Sequence, residues 1–235
     1  MGVVRFFAAV VLSLLSAALE LLLIWVDRKR GRVFHAIARM WARGVLKISS
    51  VTVSVKGLEY LEPRRSYVYV SNHASMFDIP AIVSAIPDQI RIVYKKELEI
   101  VPFFGWGLKA GPYVGINRGR GADAMKSLDQ AIQRIRQGAS LLLYAEGTRT
   151  RDGKLQPFKR GAFNIAARAG IPVVPLTVNG SFSILRKSSF VIRPGHIDLV
   201  IAPAIPIPPG EGREVELALM NQVHTAIAAN YVDQE

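Results

Sequence analysis

The chain has 235 residues, half of them hydrophobic, with a formal net charge of +12 and no cysteine. That length suits one well-cored domain with an appendage, and the lack of cysteine excludes disulfides, thiolate metal sites and a cysteine nucleophile. The positive balance calls for a polyanionic partner, a nucleic acid, an anionic membrane or a phosphorylated substrate; with no helix-turn-helix, zinc-finger or aromatic-basic RNA signature, a membrane surface is the better reading.

The charge is unevenly placed. Residues 1–50 hold Arg5, Arg28, Lys29, Arg30, Arg32, Arg39, Arg43 and Lys47 against Glu20 and Asp27, a net +6. Within them, FFAAVVLSLLSAALELLLIWV (6–26) is apolar apart from its serines and Glu20. A helix needs roughly 20 such residues to cross a bilayer. The run continues past its small-residue SAA, so a cleaved leader is not expected. Glu20 opposes a full crossing, which leaves two arrangements open: a span, or a helix dipping into one leaflet as half of a hairpin. A second helix is expected over 33–48, with His35, Arg39, Arg43 and Lys47 as a cationic stripe and Phe34, Ile37, Trp41, Val45 and Ile48 largely opposite. Such a helix suits anionic headgroups; a solvated face on a packed helix is the competing reading. DRKRGR (27–32) joins the two, and the positive-inside rule puts this junction and the domain after it on the cytoplasmic side of the inner membrane. Residues 1–49 are thus read as a two-helix membrane-anchoring segment, and 50–235 as a globular domain.

From residue 51 onward, strand patterns alternate with helix patterns. Strands are expected at 51–56, 67–71, 91–95, 112–116, 140–145, 172–178 and 196–202, and helices at 76–86, 122–136, 161–169 and 213–230. This alternation predicts an α/β fold with a mixed or mostly parallel sheet flanked by helices. The proline-rich APAIPIPPGEG (202–212) connects to the last helix.

Three strand ends carry the chemistry. YVYVSNHASMFDIP (67–80) reads as strand, turn, helix, and ligands of open α/β sheets gather where strands end and helices begin. Five residues on a regular helix turn about 500°, so His73 and Asp78 would not share a face. They meet if His73 lies in the turn and Asp78 in the first helical turn, pointing back. Asp78 would then fix the imidazole tautomer and stabilise its cation, leaving the other nitrogen to take a proton. Asn72 could brace the turn. A histidine capping a helix is the structural alternative for that pair. The second end is LLLYAEGTRTRDGKLQPFKRG (141–161), where Arg forks and Lys point charges suit phosphate oxygens. The third is GPYVGINRGR (111–120), with Arg118 and Arg120. Together they predict a phosphate site beside a proton-transfer site. GWGLKA (105–110) fits a dinucleotide fingerprint but precedes GPYVG, which is no helix; GxSxG and metal-ligand spacings do not occur.

NHASMFD (72–78) and EGTR (146–149) resemble the NHxxxxD and EGTR motifs of the glycerophospholipid acyltransferases. Residues 95–118, 157–166 and 171–181 resemble the family's other blocks, in order, and the likeness covers about 50–205. Within the family the chain resembles the bacterial 1-acyl-sn-glycerol-3-phosphate acyltransferases. Ala145 stands where proline is common, and Asn117 where aspartate often precedes the arginine. The resemblance implies acyl transfer from acyl-CoA or acyl carrier protein to the sn-2 hydroxyl of lysophosphatidic acid at a phospholipid membrane, with no cofactor and no metal. It implies His73 as general base and Asp78 as its orienting carboxylate. Asn72, Lys95, Arg118, Glu146, Gly147, Thr148, Arg149 and Lys159 would form the acceptor site. A carboxylate does not attract phosphate, so Glu146 is expected to bond a glycerol hydroxyl or orient an arginine. VPFFGWG (101–107) would line an acyl groove, touch the bilayer or pack in the core. Three competing functions remain at this level: an acyltransferase for another lyso-lipid such as a lyso-ornithine lipid, a membrane-bound hydrolase of lipids or thioesters, and a non-catalytic lipid-binding module.

Overall fold

A computed structural model describes residues 1–23, 25–26, 31–116, 127, 129–133, 135 and 138–233. Helices α1 (Gly2–Leu22) and α2 (Arg32–Ser49) form an antiparallel pair. The Trp41 indole donates to Ser13 Oγ at 2.9 Å, and Arg5 donates to Ser50 Oγ at 3.4 Å. Gly44 allows the close approach, since a Cβ there would meet the Leu12 side chain at 2.8 Å. α1 turns its polar groups inward. Glu20 is buried and accepts a bond from the Tyr113 hydroxyl at 3.0 Å, and burial pushes its carboxyl pKa up to about 7. The outward face carries Val3, Val4, Phe7, Val10, Val11, Leu14 and Leu15, at steps of three and four. This is the reverse of a water-soluble amphipathic helix, which exposes its polar side.

α2 departs from the expected stripe. His35 is buried, and that burial together with the charges of Arg91 and Arg39 holds its pKa down to about 4. It is neutral at pH 7 and belongs to the packed face. Arg43 and Lys47 are exposed, while Arg39 is half-buried and reaches the Ser84 carbonyl at 3.5 Å. The opposite face sends Val45 and Leu46 into the main core.

Among the described residues seven strands form one sheet: β1 (Val51–Lys56), β2 (Val68–Ser71), β3 (Ile90–Lys95), β4 (Val114–Ile116), β5 (Ser140–Tyr144), β6 (Val173–Asn179) and β7 (Gly195–Ile201). Their order is β1-β7-β6-β2-β5-β3-β4. The pairings are parallel except between β6 and β7. The helices that follow are α3 (Asp78–Ala85), α4 (Phe104–Ala110), α5 (Gly161–Ala169), α6 (Ser181–Ile184) and α7 (Arg213–Ala228). The described positions within 127–135 are helical too, inside the helix expected at 122–136, whose remainder lies outside the described residues. α4 is an addition to the expected elements. Two glycines make its seven residues a poor helix by propensity, but the same glycines let it lie close to its neighbours. A Cβ on Gly107 would meet Ala17 of α1 at 3.2 Å, and Phe103 and Trp106 stay exposed.

Side chains alternate across the sheet. Tyr67, Tyr69 and Leu142 face a core shared with α2 and α3, while Val68, Val70, Leu141 and Leu143 face a second core with α5 and α7. β2, β5 and β6 are covered on both sides, which is why they read as near-continuous apolar runs. Five strands, β2 to β6, point the same way, so their carboxyl ends share one edge. Both sequence motifs leave the sheet there.

Candidate active site

Pairing register brings the motifs together. Ser71 of β2 lies opposite Tyr144 of β5 in the parallel ladder. Two residues past each lie His73 and Glu146. The Ala145 N–H bonds the Ser71 carbonyl at 3.2 Å, the His73 N–H bonds Glu146 Oε1 at 2.8 Å, and the Thr150 N–H bonds the His73 carbonyl at 2.9 Å. The two loops are laced together by main chain, so their spacing is fixed by strand geometry.

The turn after β2 points Asp78 back at His73. Asp78 is the first residue of α3 and fully buried. Its Oδ2 accepts three hydrogen bonds: from His73 Nδ1 at 2.7 Å, from the Ala74 amide at 2.8 Å and from the Ser75 amide at 2.9 Å. A carboxylate so held keeps the imidazole proton on Nδ1 and leaves the Nε2 lone pair free. Nε2 has no hydrogen-bond partner among the described residues and is not sealed from solvent. Asn72 is anchored on the other side. Its amide donates to the Val178 carbonyl at 2.9 Å and accepts from the Val178 N–H at 2.8 Å. Both ends of that side chain are thus committed to β6, and it braces the turn, as expected from its place in the sequence.

Tyr144, which the sequence reading passed over, stacks on the imidazole with ring centroids 3.8 Å apart and planes 17° off parallel. Among the described residues its hydroxyl is sealed without a hydrogen-bond partner, and burial, then the Asp78 charge, raises its pKa well above the ordinary phenol value. Glu146 takes the His73 main chain as partner through Oε1, while among the described residues its Oε2 has no hydrogen-bond partner. Burial pushes its pKa up to about 8; the His73 N–H bond opposes that, and the Asp78 charge adds to it. Burial therefore favours the neutral acid form of Glu146.

Cations line the EGTR side. Arg149 is half-buried; loss of solvent lowers its pKa and the nearby Asp78 charge raises it. Gly147 sits in the left-handed region (φ +72°), and a Cβ there would meet Lys159 Nζ at 3.1 Å, so Lys159 crosses the turn. Thr148 is exposed and its hydroxyl accepts from Lys187 Nζ at 3.0 Å. Lys187 is a cation the sequence reading did not single out, because it lies 38 residues beyond Arg149 in an unpatterned loop. Lys95 is exposed at the end of β3 and pairs with Glu97 at 3.3 Å, with no described hydrogen bond or ion pair to the motif residues. Arg118, Arg120 and Asn117 lie outside the described residues.

One sheet edge thus carries a carboxylate-held imidazole beside a turn lined by Arg149, Lys159 and Lys187. The fold is that of the 1-acyl-sn-glycerophosphate (LPA) acyltransferase PlsC from Thermotoga maritima, with a TM-score of 0.80 over 97% of this chain and 92% of that one, at 24% identity. The Acyltransferase family model matches residues 52–179. The chain belongs to the Acyltransferase family. It is 32% identical over 83% of its length to the chloroplastic 1-acyl-sn-glycerol-3-phosphate acyltransferase BAT2 of Brassica napus, covering 56% of that protein. It is 28% identical over 80% of its length to the human 1-acyl-sn-glycerol-3-phosphate acyltransferase alpha, covering 68% of it. The chain spans about half the length of the plant relatives it matches.

Proposed function

We propose that the chain transfers a fatty acyl group from an acyl thioester, of CoA or of acyl carrier protein, to the sn-2 hydroxyl of lysophosphatidic acid, giving phosphatidic acid. The observation that carries this reading is the His73–Asp78 pair laced to the EGTR turn, so that one base and several cations share a sheet edge. His73 Nε2 takes the proton of the acceptor hydroxyl as its oxygen attacks the thioester carbonyl. The C–O bond forms, the carbonyl π electrons move to oxygen, and their return breaks the C–S bond. The imidazolium then returns its proton to the departing thiolate. A positioned base of this kind supplies roughly 10²–10⁴-fold of rate, and holding both substrates at one edge supplies more. Asp78 balances the transient imidazolium. Arg149 and Lys159 hold the acceptor phosphate, with Arg118 and Lys95 as further candidates.

The apolar outer face of α1 supports a chain seated in one leaflet of the cytoplasmic membrane, with Arg43 and Lys47 at its headgroups and the site turned to the cytoplasm. α1 is long and apolar enough to cross, but its polar side packs on α2 through Ser13 and on the globular domain through Glu20. The test is a product assay: purified protein in phospholipid vesicles, lysophosphatidate, and a panel of acyl-CoA and acyl carrier protein donors, with products identified by mass. Phosphatidic acid is expected. Free fatty acid without it would mean hydrolysis, and acylation of only an uncharged-head lyso-lipid would overturn the acceptor.

A further inference from the structure

Lys187 holds the EGTR turn from outside the motif. Its ammonium donates to Thr148 Oγ1 at 3.0 Å and to the Arg149 carbonyl at 3.1 Å. An ammonium has three N–H groups, so one remains for a ligand. Loss of solvent, then repulsion from Arg151 and Arg149, lowers its pKa. Lys187, Arg149 and Arg151 therefore converge, with the Asp78 charge acting on Arg149, and among the described residues no salt bridge ties these three or Lys159 to a carboxylate. Like charges held together destabilise one another, and an anion that joins them relieves the repulsion.

The segment that carries Lys187 is pinned at both motif and membrane ends. The Ser75 hydroxyl, in the turn between His73 and Asp78, donates to the Leu185 carbonyl at 2.9 Å, and the Arg193 N–H closes the loop on Ile184 at 2.9 Å. Ser188 bends the chain through the left-handed region (φ +66°) just past Lys187. Arg186 lies over the Phe182 ring, 5.1 Å away. Beyond the bend, the Ile192 N–H bonds the Gly2 carbonyl of α1 at 3.2 Å, and the Phe190 ring packs edge-on against Phe6 at 5.2 Å.

We propose that residues 185–192 are a strap that delivers Lys187 to the acceptor's phosphate as a cation from outside both motifs, and that ties this phosphate site to the lipid-facing helix. The assignment rests on the acyl-transfer reading above. A phosphate monoester carries about −1.5 to −2 charges at neutral pH, more than one guanidinium offsets. Lys187 supplies a point charge beside the Arg149 fork. Because the strap is bonded to α1, seating that helix in lipid fixes the height of the ammonium over the site.

The test uses the whole chain, solubilised in detergent for calorimetric titration with lysophosphatidate, and in vesicles for transfer rates. Lys187→Met should weaken binding about tenfold or more, the scale of one charge-assisted contact, with a smaller fall in kcat than in affinity. Lys187→Arg should recover most of the affinity. Phe190→Ser, which unseats the strap from α1 and spares the ammonium, should weaken binding in the same direction but less. Wild-type affinity in Lys187→Met, or a loss confined to kcat, would overturn the assignment and leave Lys187 a brace of the turn; unchanged affinity in Phe190→Ser would sever the link to α1. Lys187-dependent binding without transfer by the wild type would instead sink the transfer reading and leave the strap standing.

Discussion

Replacing Asp78 with asparagine isolates charge from geometry. The two backbone amides of Ala74 and Ser75 point at Oδ2, so they hold an amide oxygen in that place and reject an NH₂ group. The oxygen still accepts from Nδ1, the tautomer is kept, and α3 keeps its start. What is lost is a full negative charge beside the forming imidazolium, with donor and acceptor atoms 2.7 Å apart. Unit charges centred about 4 Å apart at an effective dielectric of 20 interact by about 4 kcal/mol. The imidazole is 14% exposed, and solvent takes back part of that. A net of about 3–4 kcal/mol corresponds to a 10²–10³-fold fall in kcat. The KM for lysophosphatidate should stay within about threefold, because the phosphate grip is untouched. Initial rates with saturating thioester and varied lysophosphatidate measure both, and a melting curve checks the fold. Turnover above a tenth of wild type in a protein that melts normally would refute the carboxylate's electrostatic role.

Arg149→Ala should act the other way, raising the KM for lysophosphatidate by about tenfold or more, at least as much as it lowers kcat, since a charge-assisted fork is lost; a change in kcat alone would move Arg149 off the phosphate. Glu146 makes a stability prediction. Its pKa is about 8 folded against 4.5 ordinarily, so the unfolded chain loses this proton first and the fold loses stability as pH rises through that window. Glu146→Gln keeps an acceptor for the His73 amide and removes the penalty, so its melting temperature should gain on wild type from pH 5 to pH 8; parallel curves would contradict the raised pKa. Replacing Val4, Phe7, Val11 and Leu15 with serine should cut vesicle partitioning by more than about a hundredfold, given roughly 1.5–3 kcal/mol per buried apolar side chain, without lowering the melting temperature, and undiminished binding would remove α1 from the lipid contact. Deleting residues 1–49 would be a poorer test, because Val45 and Leu46 of α2 lie in the main core.

The element pattern was legible because it is local. The apolar runs of YVYVS, LLLYA and PVVPLTV predicted strands that the structure reproduces to within a residue or two. Motif chemistry was legible for the same reason: His73 and Asp78 are five residues apart, and a strand-turn-helix leaves few ways to join them. Glu20 and His35 were harder. Sequence position records neither which way a helix is rotated nor what packs on it, and rotation hides Glu20 against Tyr113 and His35 beside Arg91. α4 was missed because its glycines lower helix propensity while serving contact with α1.

By itself the sequence determined the α/β class, the strand ends that carry the chemistry, and an apolar leading helix. Only the tertiary structure decided that His73 and Glu146 are partners, since that depends on which strands are neighbours and in what register. It also decided that Asn72 is spent on Val178, that Tyr144 lies on the imidazole, and that Lys187 reaches Arg149. Each of these is a contact between segments far apart in the chain, set by packing a twisted sheet between two cores, and no local pattern encodes it.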